Sequence, residues 1–173
     1  MSQKISLTQI NTLPLDDFVR VLGGVFEHSP WVAQRAADHR PYSSLEALHA
    51  QMVQQIESAG EQAQMALIRA HPELAGKAAV RGELTPESTS EQAGAGLDQC
   101  SPEEFARLTQ LNQAYHVKFG FPFILAVKGY DRAGIIRQFE RRLGLAPEAE
   151  VRESLQQIYK IGRFRLEALI DAP

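Results

Sequence analysis

The sequence has a single cysteine, Cys100, which excludes an intrachain disulfide and a thiolate metal cluster. A reducing compartment, the cytoplasm, is the expected location. No apolar run approaches the length of a bilayer-spanning helix, and the opening MSQKISLTQI lacks the apolar stretch of a secretory signal, so no membrane partner is expected. Neither charge sign dominates: 18 Lys and Arg stand against 21 Asp and Glu, a net charge of −3, which gives no basis for binding nucleic acid. The five histidines make no HExxH or related zinc spacing, so no metal site is expected. There is no internal repeat, low-complexity tract or linker. What remains is a 173-residue chain, 44% hydrophobic and 23% charged, the composition of a soluble domain with a sizeable core.

Helix signals fill most of that chain. Phe18, Val21, Leu22, Val25 and Phe26 recur at helical spacing and predict a first helix over 15–27. Ser29-Pro30 reads as a cap and first turn leading into Trp31. Ser43 with Glu46, and Ser58 with Glu61, read as capping boxes for the next two helices. The second of these ends near His71, because a residue before proline is pushed out of the α region. Residues 72–87 read as a loop, followed by a box at Ser88 and Glu91. Ser101-Pro102-Glu103-Glu104 is the strongest start signal, opening a stripe of Phe105, Leu108, Leu111, Asn112, Tyr115 and Phe119 that stops at Gly120. FPFILAV, 121–127, is apolar without helical period and reads as a short buried extended segment. Asp131 caps a helix carrying Ile135, Ile136, Phe139 and Leu143, and a last helix runs from about Pro147 to Ile170. The expected fold is all-α, a single domain over residues 1–173 of about seven or eight helices.

Four places carry chemical potential. His71 stands at a helix C-terminus, where the macrodipole favours its cation, and directly before Pro72. It serves either as a proton donor and acceptor near neutral pH or as a cap for the last carbonyls. Ser88, Ser90, Glu91 and Gln92 lie around a helix N-terminus. Free N–H groups and hydroxyls there hold an anion or polar heterocycle, or they only cap the helix. Arg165 shares the apolar face of Val151, Leu155, Ile158, Ile161, Leu166 and Leu169. A buried arginine needs an anion, either a substrate carboxylate or a structural glutamate. The backbone of 123–127, if extended and unpaired, needs hydrogen-bond partners, which a core neighbour or an amide-rich ligand can supply.

Taken in order, FEHSPWVAQRAADHRPYSS, LIRAHPELAGKAA, LTPESTSEQAGAGLD, LNQAYHVKFGFPFILAVKG and KIGRFRL resemble 2-oxo-4-hydroxy-4-carboxy-5-ureidoimidazoline (OHCU) decarboxylases, over about residues 13–170. The resemblance implies an all-α, cofactor-free homodimer with a small-molecule substrate, a ureidoimidazoline carboxylate. That substrate loses CO2 and is protonated on one face to (S)-allantoin, the last step from urate. By motif, the catalytic histidine is His71 and its acidic partner Glu91. The substrate-binding residues are Pro72, Ser88, Thr89, Ser90, Gln92, Phe123, Ile124, Leu125, Ala126, Val127 and Arg165. Two other readings stand beside this one: a decarboxylase of a related ureido or hydantoin-like acid, and a non-catalytic helical interaction module.

Overall fold

The structure, a computed structural model, describes residues 3–172, apart from the side chains at 77 and 78. The described residues are mainly helical, as expected, with one two-residue parallel pairing of β1 (Ile5–Ser6) with β2 (Ile170–Asp171). Packing divides the chain into two compact units: residues up to 70 together with those from 159, and residues 71–158.

The first unit holds α1 (Leu7–Thr12), α2 (Leu15–Leu22), α3 (Trp31–Ala37), α4 (Leu45–Ser58) and α5 (Glu61–Ala70). The last turns of α10 (Pro147–Leu169) also belong to it. Its core contains Ile10, Phe18, Leu22, Phe26, Leu48, Met52, Ile56, Ile68 and Leu166. Four expected boundaries move here. The first helix stops at Leu22, because the Gly23-Gly24 pair ends it; Val25 and Phe26 are buried from a turn rather than a helix. The Ser29 hydroxyl does not cap α3; it donates to the Glu27 carbonyl at 2.9 Å. Ser44, not Ser43, caps α4 by accepting from the Ala47 amide at 3.0 Å. Glu46 instead pairs with Arg163 at 2.8 Å, and that bond holds its carboxyl below the usual range. Ser58 is the last residue of α4 and donates back to Gln54. The turn to α5 is made by Gly60 at φ +92°, a conformation that a side chain would strain.

The second unit holds α6 (Lys77–Val80), α7 (Pro86–Gly94), a 3-10 turn (Leu97–Gln99), α8 (Pro102–Phe119), α9 (Arg132–Leu143) and the first part of α10. The box at Ser101 and Glu104 forms as read, with both reciprocal bonds present. Gly120 closes α8 at φ +77°, and the Asp131 carboxylate caps α9 by accepting from the Gly134 amide at 2.7 Å. Phe121, Phe123 and Phe139 surround Tyr115 in an aromatic core. Phe105, expected on the buried stripe of α8, is 41% exposed because the inward face starts at Leu108.

Candidate active site

His71 is the first residue past α5 and is buried, at 7% exposure. Pro72 disfavours helical backbone at His71, so the helix ends at Ala70 and the imidazole leaves the helical path. Side chains from two helices hold the turn that follows. Gln92 of α7 accepts from the Ala75 amide at 3.0 Å and donates to the Glu73 carbonyl at 3.3 Å. Asn112 of α8 donates to the Leu74 carbonyl at 2.9 Å. Ala75 sits at φ +52°, and a left-handed backbone costs a non-glycine residue roughly 1–2 kcal/mol. Its bond to Gln92 is one of the contacts that holds it there.

The expected capping box at Ser88 and Glu91 is replaced by an earlier start. Thr85 is the cap, accepting from the Ser88 amide at 3.2 Å, and Pro86 takes the first helical position, where its ring is pre-organised. The Ser88 and Thr89 amides are therefore already bonded, to the Thr85 hydroxyl and carbonyl. The anion site read from free amides at Ser88 does not form there; α7 presents side chains instead. Helical spacing turns Ser88 and Gln92 inward with Glu91 half-buried beside them, while Thr89 and Ser90 are exposed. Thr89 donates its hydroxyl to the Thr85 carbonyl at 2.9 Å.

Residues 122–127 are neither helix nor turn, have no positive φ, and Phe123 to Val127 are all buried. Three backbone groups of this run have protein partners. The Ile124 carbonyl accepts from the guanidinium of Arg142. The Ala126 amide donates to Gln157 Oε1 at 3.0 Å, and the Val127 carbonyl accepts from the Tyr130 amide at 2.9 Å. Among the described residues, the N–H and C=O of Leu125 have no partner. Arg142 is fully buried over the Phe123 ring, 4.4 Å from its centroid, and Phe123 stacks on Phe139. Glu150, equally buried, accepts from Arg142 Nε at 2.7 Å and from the Tyr115 hydroxyl at 2.6 Å. Burial and that bond to Glu150 push the Tyr115 phenol well above its ordinary range, so it stays a donor.

Arg165 lies in the first unit, 5% exposed, bonded to Glu27 Oε2 and to the Gly24 carbonyl, each at 3.1 Å. The structural glutamate of the two alternatives is thus present. Within the second unit, Gln92 joins Ser88–Gln92 to the turn after His71, whereas Phe123–Val127 is anchored separately from α9 and α10. Among the cavities of that unit are two lined in part by these elements. One, of about 560 Å³, is lined by Leu84, Thr89, Gln92 and Phe105; the other, of about 740 Å³, by Glu73, Arg81, Asn112 and His116. His71 and Glu91 line neither of these two.

The family model of OHCU decarboxylase matches residues 11–167. The chain belongs to the OHCU decarboxylase family. It is 39% identical over 163 residues to the 2-oxo-4-hydroxy-4-carboxy-5-ureidoimidazoline decarboxylase of Haloferax volcanii, covering 94% of this chain and 95% of that one. The enzyme of the same name from Mus musculus is 38% identical over 168 residues, covering 97% and 94%. Among solved structures, that of (S)-allantoin synthase matches with a TM-score of 0.79 at 26% identity over 96% of this chain. The chain spans 55% of the length of that structure's chain.

Two motifs of this OHCU decarboxylase family member, FEHSPW and KIGRFRL, meet inside the first unit. Glu27 pairs with Arg165, and the Phe26 ring lies against Gly162. Sequence reasoning missed Glu27, Arg142, Glu150 and Gln157. The stripe rule that singled out Arg165 would also have found Arg142, which follows Ile135 by seven residues and Phe139 by three.

Proposed function

We propose that this chain decarboxylates 2-oxo-4-hydroxy-4-carboxy-5-ureidoimidazoline to (S)-allantoin and CO2, in the degradation of urate. The family match over residues 11–167 carries the reading, because it includes every motif assigned to the site. That match also runs through both compact units, which supports treating the chain as one catalytic domain.

The chemistry suits the residue types. Breaking the carboxylate bond releases an electron pair that the substrate's own conjugated ring accepts as an enol-like intermediate, so no cofactor is required. The protein must align the breaking bond with the ring π system and stabilise the developing charge. In this proposal His71 takes the proton of the hydroxyl on the carbon losing CO2 and returns a proton to one face of the ring. Glu91 hydrogen-bonds the amide and ureido N–H groups of the substrate. Pro72, Ser88, Thr89, Ser90 and Gln92 line the approach, and the backbone of Phe123 to Val127 reads the amide edges. Leu125, buried with N–H and C=O unpartnered among the described residues, supports that last assignment. Arg165 enters by its motif and balances charge with Glu27.

A homodimer working in the cytoplasm completes the proposal, on the family resemblance. Among the described residues no helix is long and apolar enough to cross a membrane. The test uses substrate made freshly from urate by its oxidase and the hydroxyisourate hydrolase, with allantoin followed by circular dichroism. One enantiomer should appear rapidly, and His71→Ala should lower kcat by roughly 10²–10⁴, the usual range for an acid–base group. Slow racemic product from folded wild-type protein would overturn the reading. Near-wild-type turnover in His71→Ala would remove His71 from the mechanism.

A further inference from the structure

Extended backbone directs the polar groups of successive residues to opposite edges, so residues two apart share an edge. The Ile124 carbonyl and the Ala126 amide are two apart, and both are taken by protein side chains, Arg142 and Gln157. Leu125 lies between them, and extended backbone turns its N–H and C=O to the other edge. Those two groups have no partner among the described residues. They form an adjacent donor and acceptor, the complement of a lactam or ureide, which carries N–H beside C=O.

The two anchors are not ordinary surface contacts. Arg142 is 0% exposed and Gln157 is 7% exposed. Arg142 grips the segment twice, at the Ile124 carbonyl and over the Phe123 ring. Its own position is fixed by Glu150 at 2.7 Å and by Ser154 Oγ at 3.2 Å, with Tyr115 donating to Glu150. The Gln157 amide is oriented by donation to Glu153 Oε1 at 3.4 Å, which leaves its oxygen facing the Ala126 N–H. A guanidinium fork can hold a carboxylate and a carbonyl together; a lysine ammonium in the same place lacks that geometry.

We infer that Arg142 and Gln157 are positioning residues for substrate recognition: they fix one edge of residues 123–127 so that Leu125 on the other edge reads a lactam or ureide by a paired hydrogen bond. This rests on the assignment of Phe123–Val127 to substrate binding. Neither side chain touches the substrate; each acts through the backbone.

The test measures KM, kcat and the pH profile of kcat for wild type, Gln157→Met and Arg142→Lys, together with the Kd of (S)-allantoin. Gln157→Met removes the acceptor at similar volume. It should raise KM and the allantoin Kd at least tenfold, and leave the apparent pKa values of the kcat profile where they are in wild type. Arg142→Lys should move the same constants in the same direction. A purely structural role would lower Tm and leave KM alone. If wild type turns over and folded Gln157→Met keeps a wild-type KM, the positioning role is wrong while the decarboxylase reading stands. If wild type neither turns over nor binds (S)-allantoin, that reading has failed first, and this inference falls with it. Should Gln157→Met not fold, Gln157→Asn, one methylene too short to reach Ala126, carries the same test.

Discussion

Gly162 sits in the interior of α10, where alanine would ordinarily be better. On a free helix Gly→Ala gains about 1 kcal/mol from backbone entropy. Here a Cβ at position 162 would lie 2.7 Å and 2.8 Å from two atoms of the Phe26 ring. Carbon atoms pack best at roughly 3.5–4.0 Å, so the ring would have to retreat by about 1 Å. Phe26 is 1% exposed and cannot swing into solvent. Overpacking of this kind costs about 1–3 kcal/mol, and an approach this close falls in the upper part of that range. The clash therefore exceeds the propensity gain, and Gly162→Ala should destabilise by about 1–2 kcal/mol, or lower Tm by roughly 2–8 °C. Urea unfolding followed by far-ultraviolet circular dichroism, with m unchanged, reads the difference. A second substitution isolates the cause. In a Phe26→Leu background the ring is gone, and Gly162→Ala should become neutral or stabilising, a coupling of about 1 kcal/mol or more in the cycle. A Gly162→Ala protein more stable than wild type, or zero coupling to Phe26, would refute the reasoning.

Glu150→Leu should cost about 3–5 kcal/mol, because it leaves the fully buried Arg142 without its counter-charge; Arg142→Met with Glu150→Leu should recover most of that in the same denaturation assay. His49 gives a pH signature. Burial lowers its pKa below the ordinary 6.5, more than the bond from Nε2–H to the Tyr159 carbonyl raises it, so the fold holds the neutral ring. The unfolded chain then binds the extra proton. Stability from this group is complete above pH 6.5 and is lost as pH falls below it, and His49→Gln should flatten that part of the stability–pH curve. Thr85→Ala should destabilise by about 1 kcal/mol as a lost helix cap, measured by thermal unfolding.

The sequence carried the helical class and the strongest ends of helices because those signals are local. Ser101 with Glu104, Gly120 and Asp131 each act within four residues of themselves. The misplaced caps were also local, but ambiguous. Ser43 and Ser44 are adjacent and only one residue can occupy the cap position before Leu45; Thr85-Pro86 competes with Ser88 three residues later and wins through proline. Within the site, His71 before Pro72 was visible as a helix break. Gln157 meeting Ala126 across 31 residues was not, since nothing in a single sequence reports which glutamine of a helix faces a bare amide. Arg142 was legible in principle from its place on the α9 stripe, but Arg141 beside it has the same chemistry and lies exposed.

The buried run Phe123–Val127 bears on how this protein tolerates change. Its side chains fill the core while its main chain carries the polar edge. A saturation mutational scan should then score the segment as ordinary packing: aliphatic exchanges at Leu125 accepted, polar ones rejected, as at any interior position. Only proline would stand apart, by deleting the N–H while preserving apolar character. If, as proposed, the main chain of this segment reads the substrate, recognition leaves little trace in amino-acid identity, and drift here can proceed by volume alone while the ligand-facing chemistry stays constant.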